Sequence, residues 1–517
     1  MAGEGLDASG ADVVVFGATA TGVTAAVAAS EAGASVLLVA PDRHVGGMVS
    51  GGLSWTDLGD TRVVGGLARR FHEAVADHYE APLWAVKGPE PHVAERLLVE
   101  LLERAGVDVR LGEPLVQLDT AKGSITALRT ERGRAEAAVF VDAGYEGDVM
   151  AVARVPYAVG REPRELYGET WAGRQPATRP GKHNFPVLLS PFDDDGSLLP
   201  FVREPELDRR GWPDDALGTG DGGLQAYAFR VCLTDRAENR LPLSPPDDYD
   251  PARFELLRRY LEAKGDDVEA CDLLGLVRDL LPSGKCDVNS SGPFSLNLLD
   301  GSNRGYPDGS AAEREQIREH HLRYTQALLW FLAHDDAVPV HIRSELARWG
   351  PCADEFTDLG GWPHQLYVRD GRRMLGDYVL RESDLLDAEG QPDVVALGSY
   401  NIDIREVERT WRYLPEYVRM PAVFNEGYLS VAVPPYPIPY RSLTPRRMDC
   451  ENLLVPICLS ASHVAFGSVR MEPTLMLLGH AAGVAAAQAA RRGVAVQDVD
   501  VDALQQTLRD GGQVLAL

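Results

Sequence analysis

A chain built around an α/β lobe with a parallel sheet is predicted by three observations. A short apolar run, a glycine-bounded turn and a helix-forming stretch follow one another near residue 12; an apolar strand-then-helix order returns near residue 452; and the composition changes between them. Asp12 to Phe16 (DVVVF) has the continuous apolar pattern of a strand covered on both faces. Gly17-Ala-Thr-Ala-Thr-Gly22 follows at once, so a helix has to start there. Residues 23–32 (VTAAVAASEA) are good helix formers and stop at Gly33, a C-terminal cap. Ser35 to Ala40 (SVLLVA) is a second buried strand, completing a βαβ unit.

The physics of that unit is that of a dinucleotide site. Gly17 allows the tight turn, Gly22 allows helix and strand to pack closely, and the helix N-terminus offers free N–H groups to a pyrophosphate. Two residues depart from the usual fingerprint. Thr19 stands where the middle glycine belongs, and Ala40 where an acid would bind a ribose. Asp42 is the acid that could reach instead; Arg43 would suit a 2′-phosphate in the alternative NADP reading.

Downstream, Gly46-Gly47-Met48 and Gly51-Gly52 let backbone approach a flat ligand, and Gly65-Gly66 opens an amphipathic helix. Residues 93–105 read as a helix and Val107 to Leu111 as a strand. Segments near 115–130 and 134–141 read as a hairpin ending in VFVDAGYEGD, Val139 to Asp148. From about 161 to 430 the chain is richer in Pro, Asp and aromatics, with a helix near 311–334, which marks a separate inserted lobe. Asn452 to Ile457 and a helix from about Pro473 to Arg491 return to the first lobe.

With 517 residues, 45% hydrophobic and 25% charged, the chain can bury a large core, and its net charge of −26 disfavours nucleic acid and anionic lipid as partners. Six scattered cysteines without a CxxC pair fit reduced thiols and a cytoplasmic location, and the acidic first ten residues carry no export signal. The uncharged stretch Thr474 to Ala490 is Ala/Gly-rich and includes His480 and Gln488, so it reads as a buried helix and not a membrane span.

Taken together, GATATG at 17–22, HVGGMVSGG at 44–52, GGLARRF at 65–71, EPHVAE at 90–95, DAGYEGDVM at 142–150 followed by VGRE at 159–162, FRVCLT at 229–234, LYVRDGRRMLGDYV at 366–379 and YPIPYRSLTPRRMDCENLLVPICLSASHVAFGSVRMEP at 436–473 resemble one group of flavoproteins. The chain looks like an FAD-dependent oxidoreductase of the glutathione-reductase-like superfamily. That resemblance implies a Rossmann-like FAD-binding domain built from residues 1–160 and 436–517, with an inserted α+β substrate domain over 161–435. It implies cofactor contacts or their supports at Gly17, Thr19, Gly22, Asp42, Arg43, Gly46, Gly47, Met48, Asp142, Gly147, Asp148 and Glu472. Against the family pattern, Asp370-Gly371 replaces an expected Glu-Ala, and Ile404-Arg405 an expected Ser-His.

A flavin oxidising a C–H bond needs a base for the substrate proton and positive charge near the pyrimidine ring. His463, in the link between the last strand and the helix starting near Pro473, is the expected base; that helix and Arg470 are the expected source of positive charge. Tyr440 and Arg441 are candidates for holding a polar substrate, and Arg369, Arg372 and Arg373 for a carboxylate or phosphate clamp. His44 is a candidate covalent flavin attachment point. The reaction implied is hydride transfer from a polar small molecule to FAD in a dehydrogenase or oxidase of secondary metabolism. An NAD(P)H-using monooxygenase and a flavin-poor binding or non-redox relative are the alternatives. The partners are a small-molecule substrate, an unassigned electron acceptor and a possible second copy of the chain, with no metal.

Overall fold

Apolar runs from both ends of the chain meet in one sheet. The computed structural model describes residues 8–175, 183–206, 217–414 and 417–517; seven of the ten residues read for an export signal lie outside them. Strand β1 (Ala8–Phe16) runs parallel between β2 (Val36–Val39) and β6 (Arg134–Asp142), and β3 (Asp108–Arg110) extends the sheet beyond β2. On the other side β4 (Leu115–Ala121), β5 (Ser124–Thr130) and β6 form an antiparallel meander, so the order is β3-β2-β1-β6-β5-β4. Val13, Val14 and Val15 are fully buried, as their uninterrupted apolar run demands.

Helix α1 (Ala20–Glu31) begins three residues before the predicted start because Thr19 caps it: the Thr19 Oγ1 accepts from Gly22 N at 3.0 Å. Helices α2 (Gly66–His78) and α3 (Pro91–Ala105) follow their predicted spans closely. The long C-terminal helix, Glu472–Arg492, which only the shorter helix Val501–Asp510 follows, carries Pro473 in its first turn and lies almost in contact with α1. A Cβ on Gly479 would sit 2.3 Å from Thr21 O, and one on Gly483 would sit 2.1 Å from Ala25 O. Glycine is needed at both positions for this close approach, which Thr24 Oγ1 fastens by donating to Met476 O at 2.9 Å.

The predicted strand over 452–457 shrinks to Leu453–Leu454, paired parallel to Phe140 and Val141 of β6. In this register Val455 already stands opposite Asp142, the last residue of β6, so the residues after it have no strand left to pair with. Asn452 bridges the gap with its side chain, donating to Ile125 O and Ala138 O and accepting from Ile125 N.

Between these segments a second sheet is ordered Gly350–Pro351, Val231–Thr234, Lys285–Ser290, Leu274–Gly275, and the long helix Ala311–His334 and the hairpin Glu408–Leu414/Tyr417–Glu426 belong to the same region. Two strand pairs stitch it to its neighbours: Arg373–Met374 with Tyr157–Ala158, and Val394–Gly398 with Tyr436–Pro439. Among the described residues no helix is long and apolar enough to cross a membrane; the uncharged Thr474 to Ala490 stretch is the interior of the C-terminal helix, buried up to Ala489.

Thr19 has a structural duty that a glycine could not perform. Thr19→Val should lower the urea-unfolding free energy by about 1–2 kcal/mol, whereas Thr19→Ser should stay within about 0.5 kcal/mol of the parent.

Candidate cofactor and substrate site

At the C-terminal edge of the sheet, the β1–α1 turn is shaped by what it cannot accommodate. Gly17 has φ +107°, and a Cβ there would lie 2.6 Å from Ala143 O; a Cβ on Gly22 would lie 1.9 Å from Gly17 O. Thr19 Oγ1 donates to Ala143 O at 2.8 Å, tying the turn to the end of β6. The second glycine loop closes over it, with Gly46 N donating to Ala18 O at 2.6 Å. Tyr145 then joins three segments. Its hydroxyl accepts from Met48 N at 3.0 Å and donates to Glu472 Oε1 at 2.7 Å, and its ring covers Gly47.

The carboxylates of this region divide by environment. Asp142, fully buried, accepts from Met150 N at 2.8 Å, and burial pushes its carboxyl up to about 7. Burial does the same to Glu146 and Glu472. Asp148 is held by Arg314 at 2.8 and 2.9 Å and by Arg372 at 2.9 Å; burial would raise it, but these arginines keep it below the usual carboxylate range. Gly147, at φ +64°, caps the short helix α4 (Asp148–Val152) that presents it. Ala40 is buried, while Asp42 and Arg43 lie at the surface.

His463 opens the helix His463–Val469, which Ser462 caps by accepting from Ala465 N. Its Nδ1 lies 2.9 Å from Asp370 Oδ2. Arg373 donates to Asp370 Oδ1 at 2.8 Å, to Glu162 Oε1 at 2.7 Å and to Gly160 O at 2.5 Å. Glu162 Oε2 returns to accept from His463 N at 2.9 Å, closing a buried ring of four residues. Burial would raise the Asp370 carboxyl, but Arg373 and His463 hold it below its ordinary value. An ionised Asp370 places the neutral imidazole's proton on Nδ1 and leaves Nε2 as the acceptor.

Other expected residues take other places. Arg470 reaches Tyr367 Oη at 2.8 Å and Asp403 Oδ2 at 3.2 Å, and does not pair with Glu472. Tyr440 donates to Val496 O at 2.7 Å, and Arg441 pairs with Asp393 and Gln391 over the Tyr378 ring; both pin the loop they sit on. His44 is not poised for flavin attachment, because its two nitrogens face Glu95 and Asp358 at 3.1 and 3.0 Å. The helical spacing read for Arg369 and Arg373 is not realised: the segment is not helical, with Arg372 on Asp148 and Asp308, and Arg373 in the His463 ring. Sequence reasoning missed Glu162, Tyr145 and Tyr367. Asp370 stood out only as a departure from a pattern, although its three-residue spacing to Arg373 carried the ion pair.

Two cavities of about 10 Å³ flank Tyr367. One is bounded by Leu53, Thr56, Asp57, Met471 and Glu472; the other includes Tyr145, Arg369, Phe466, Arg470 and Glu472. Thr21 Oγ1 on α1 and Glu472 Oε2 are buried without a hydrogen-bond partner. The glycine turn, the α1 N-terminus and these free polar atoms fit a dinucleotide. The two cavities at Tyr367 are each far smaller than the several hundred Å³ that a cofactor ring system needs.

A parallel sheet with a glycine turn at a helix N-terminus is the geometry of a dinucleotide-binding lobe. The family model for FAD dependent oxidoreductase matches residues 12–508, and the chain belongs to that family, whose cofactor is FAD. No curated protein matches the chain. Solved structures similar to it include OxyS anhydrotetracycline hydroxylase from Streptomyces rimosus, at 20% identity and TM-score 0.25 over 30% of this chain and 36% of that one. L-proline dehydrogenase from P. horikoshii matches at 12% and 0.25 over 30% and 59%, and L-amino acid deaminase from Proteus vulgaris at 19% and 0.23 over 31% and 54%. Each match spans less than two thirds of the neighbour, and at these scores carries no argument about the reaction.

Glu472 gives the site a pH signature. Its folded value of about 7 lies above the ordinary 4.5, so its contribution is complete below 4.5 and is lost as pH rises through 7. Unfolding free energy should therefore fall between pH 5 and 8 in urea titrations, and Glu472→Gln should flatten the fall by up to about 3 kcal/mol.

Proposed function

We propose that this flavoenzyme oxidises a polar small molecule by hydride transfer, with His463 as general base. The buried His463–Asp370 contact of 2.9 Å carries the reading. FAD, when bound, supplies the two-electron acceptor. Gly17, Gly22, Gly46 and Gly47 would admit its backbone-hugging pyrophosphate, with α1 directing N–H groups toward the negative charge.

His463 takes the hydroxyl or amino proton at Nε2, the nitrogen that Asp370 leaves free to accept. Asp370 steadies the imidazolium that results, and Arg373 keeps Asp370 ionised and oriented. Glu162 fixes the height of the His463 backbone, so imidazole and carboxylate keep their register as the proton moves. Tyr367 and Tyr145 exclude water from the enclosure.

The purified protein should show absorption near ~370 and ~450 nm, released to the supernatant by acid as expected of non-covalent flavin. His463→Asn should keep those bands and slow anaerobic flavin reduction by ~10²–10⁴-fold. Unchanged reduction would remove His463 from the chemistry, and a colourless protein that takes up no added FAD would overturn the redox reading.

A further inference from the structure

Four arginines crowd the enclosure around Tyr367, and three of them are matched by an acid. Arg230 makes a two-point pair with Asp287 at 2.8 and 2.7 Å, Arg470 meets Asp403 at 3.2 Å, and Arg405 meets Glu406 at 3.5 Å. Arg369 is the fourth. It is 3% exposed, and among the described residues no carboxylate lies within salt-bridge distance of it. One of its N–H groups donates to Ala226 O, and the guanidinium stacks 4.3 Å from the Tyr367 centroid.

A buried cation without a counter-ion is costly unless something else supplies the negative charge. Burial, and then Arg405, Arg470 and Arg230, push the Arg369 guanidinium down to about 9, so it stays charged at pH 7 in a place that opposes the charge. Arg409 shows what a structural version looks like. It also lacks a carboxylate, but it lies between Phe185 and Phe294 at 5.7 and 4.2 Å, donates to Asn425 Oδ1 and Pro293 O, and borders neither cavity at Tyr367. Arg369 uses one acceptor and borders the cavity shared with Tyr145, Phe466, Arg470 and Glu472.

We propose that Arg369 is the receptor for a carboxylate of the substrate, which enters the cavity beside Tyr367 and makes the substrate of this flavoenzyme a small carboxylic acid. The inference rests on the reading of this enclosure as the substrate site. The fork of the guanidinium matches the two oxygens of a carboxylate, and the low polarity of the surroundings strengthens the pair. A cavity of about 10 Å³ holds roughly one water, so the carboxylate head displaces that volume and moves the Tyr367 ring. A neutral amide of the same shape leaves the cation uncompensated.

The test uses the holoenzyme and reads melting by tryptophan fluorescence, which needs no flavin signal. At constant ionic strength, sodium acetate is exchanged for sodium chloride, with acetamide as the neutral isostere. Acetate should raise the melting temperature in a saturable manner and acetamide should not. Arg369→Met should weaken acetate at least 10-fold, with Arg369→Lys between it and the parent. Arg409→Met should lower the melting temperature without removing the preference for acetate over acetamide. No acetate effect on the parent protein, an equal effect of acetamide, an effect unchanged in Arg369→Met, or a response to phosphate alone would each overturn the proposal. If Arg369→Met does not fold, the acetate, acetamide and phosphate arms on the parent and Arg369→Lys still decide it. A colourless protein whose melting still responds to acetate through Arg369 would separate failure of the redox reading from failure of this one.

Discussion

The ion ring centred on Arg373 is the constraint on which the site depends. Arg373 is fully buried, and its partners come from three distant stretches of chain: Gly160 and Glu162, Asp370, and through them His463. Removing the guanidinium would leave two buried carboxylates without a counter-charge, a loss on the order of 3–5 kcal/mol. The same ring matched by apolar residues of similar volume could be as stable. Its effect is therefore geometric: it admits one arrangement of the three segments, the one in which the imidazole sits against Asp370.

That ring in turn relies on the return of the chain's end to its beginning. Gly479 and Gly483 let the C-terminal helix lie against α1 closely enough for Thr24 to reach Met476 O, and Leu453–Leu454 extends the sheet on β6. The helix preceding it, with His463 at its first position, packs against the strand Ile402–Ile404. Tyr145 supplies the cross-tie, since its single hydroxyl serves both Met48 N and Glu472. A pair of hydrogen bonds on one side chain thus couples the glycine loop after β2 to the start of the helix Glu472–Arg492.

Local pattern made much of the first lobe legible. The run DVVVF, the glycines at 17 and 22 and the helix formers after them act through neighbours in sequence, so β1, α1 and β2 follow from spacing alone. Where partners lie far apart, the reading failed or fell short. Thr19 looked like a defect in a glycine fingerprint, yet its hydroxyl caps α1 and reaches Ala143, 124 residues away. The strand read over 452–457 is cut short because its register runs off the end of β6 at Asp142, which no local pattern reveals. Tyr440 and Arg441 carry the polarity of a binding pair but meet Val496 and Asp393 instead. Asp370 and Glu162 were invisible as site residues because neither has meaning until Arg373 and His463 are brought between them.

The charge of the chain and the charge at Arg369 have opposite signs, and this bears on recognition. A net charge of −26 surrounds the molecule with a potential that repels anions at long range. At physiological salt that repulsion is screened beyond roughly 8 Å. The enclosure at Tyr367 holds four arginines, three of them paired with Asp287, Asp403 and Glu406, beside the lining acids Asp57, Asp370 and Glu472, and Arg369 is the arginine left without a paired acid. An anion is then selected by what happens after it crosses the rim, where screening is weak and the guanidinium geometry is fixed. Such an arrangement trades association speed for discrimination: the outer charge does not gather carboxylates, while the inner one distinguishes a carboxylate from a neutral group of the same size. The sequence offered Arg369, Arg372 and Arg373 together as an anion clamp; the structure commits Arg372 and Arg373 to acids and leaves Arg369 without one.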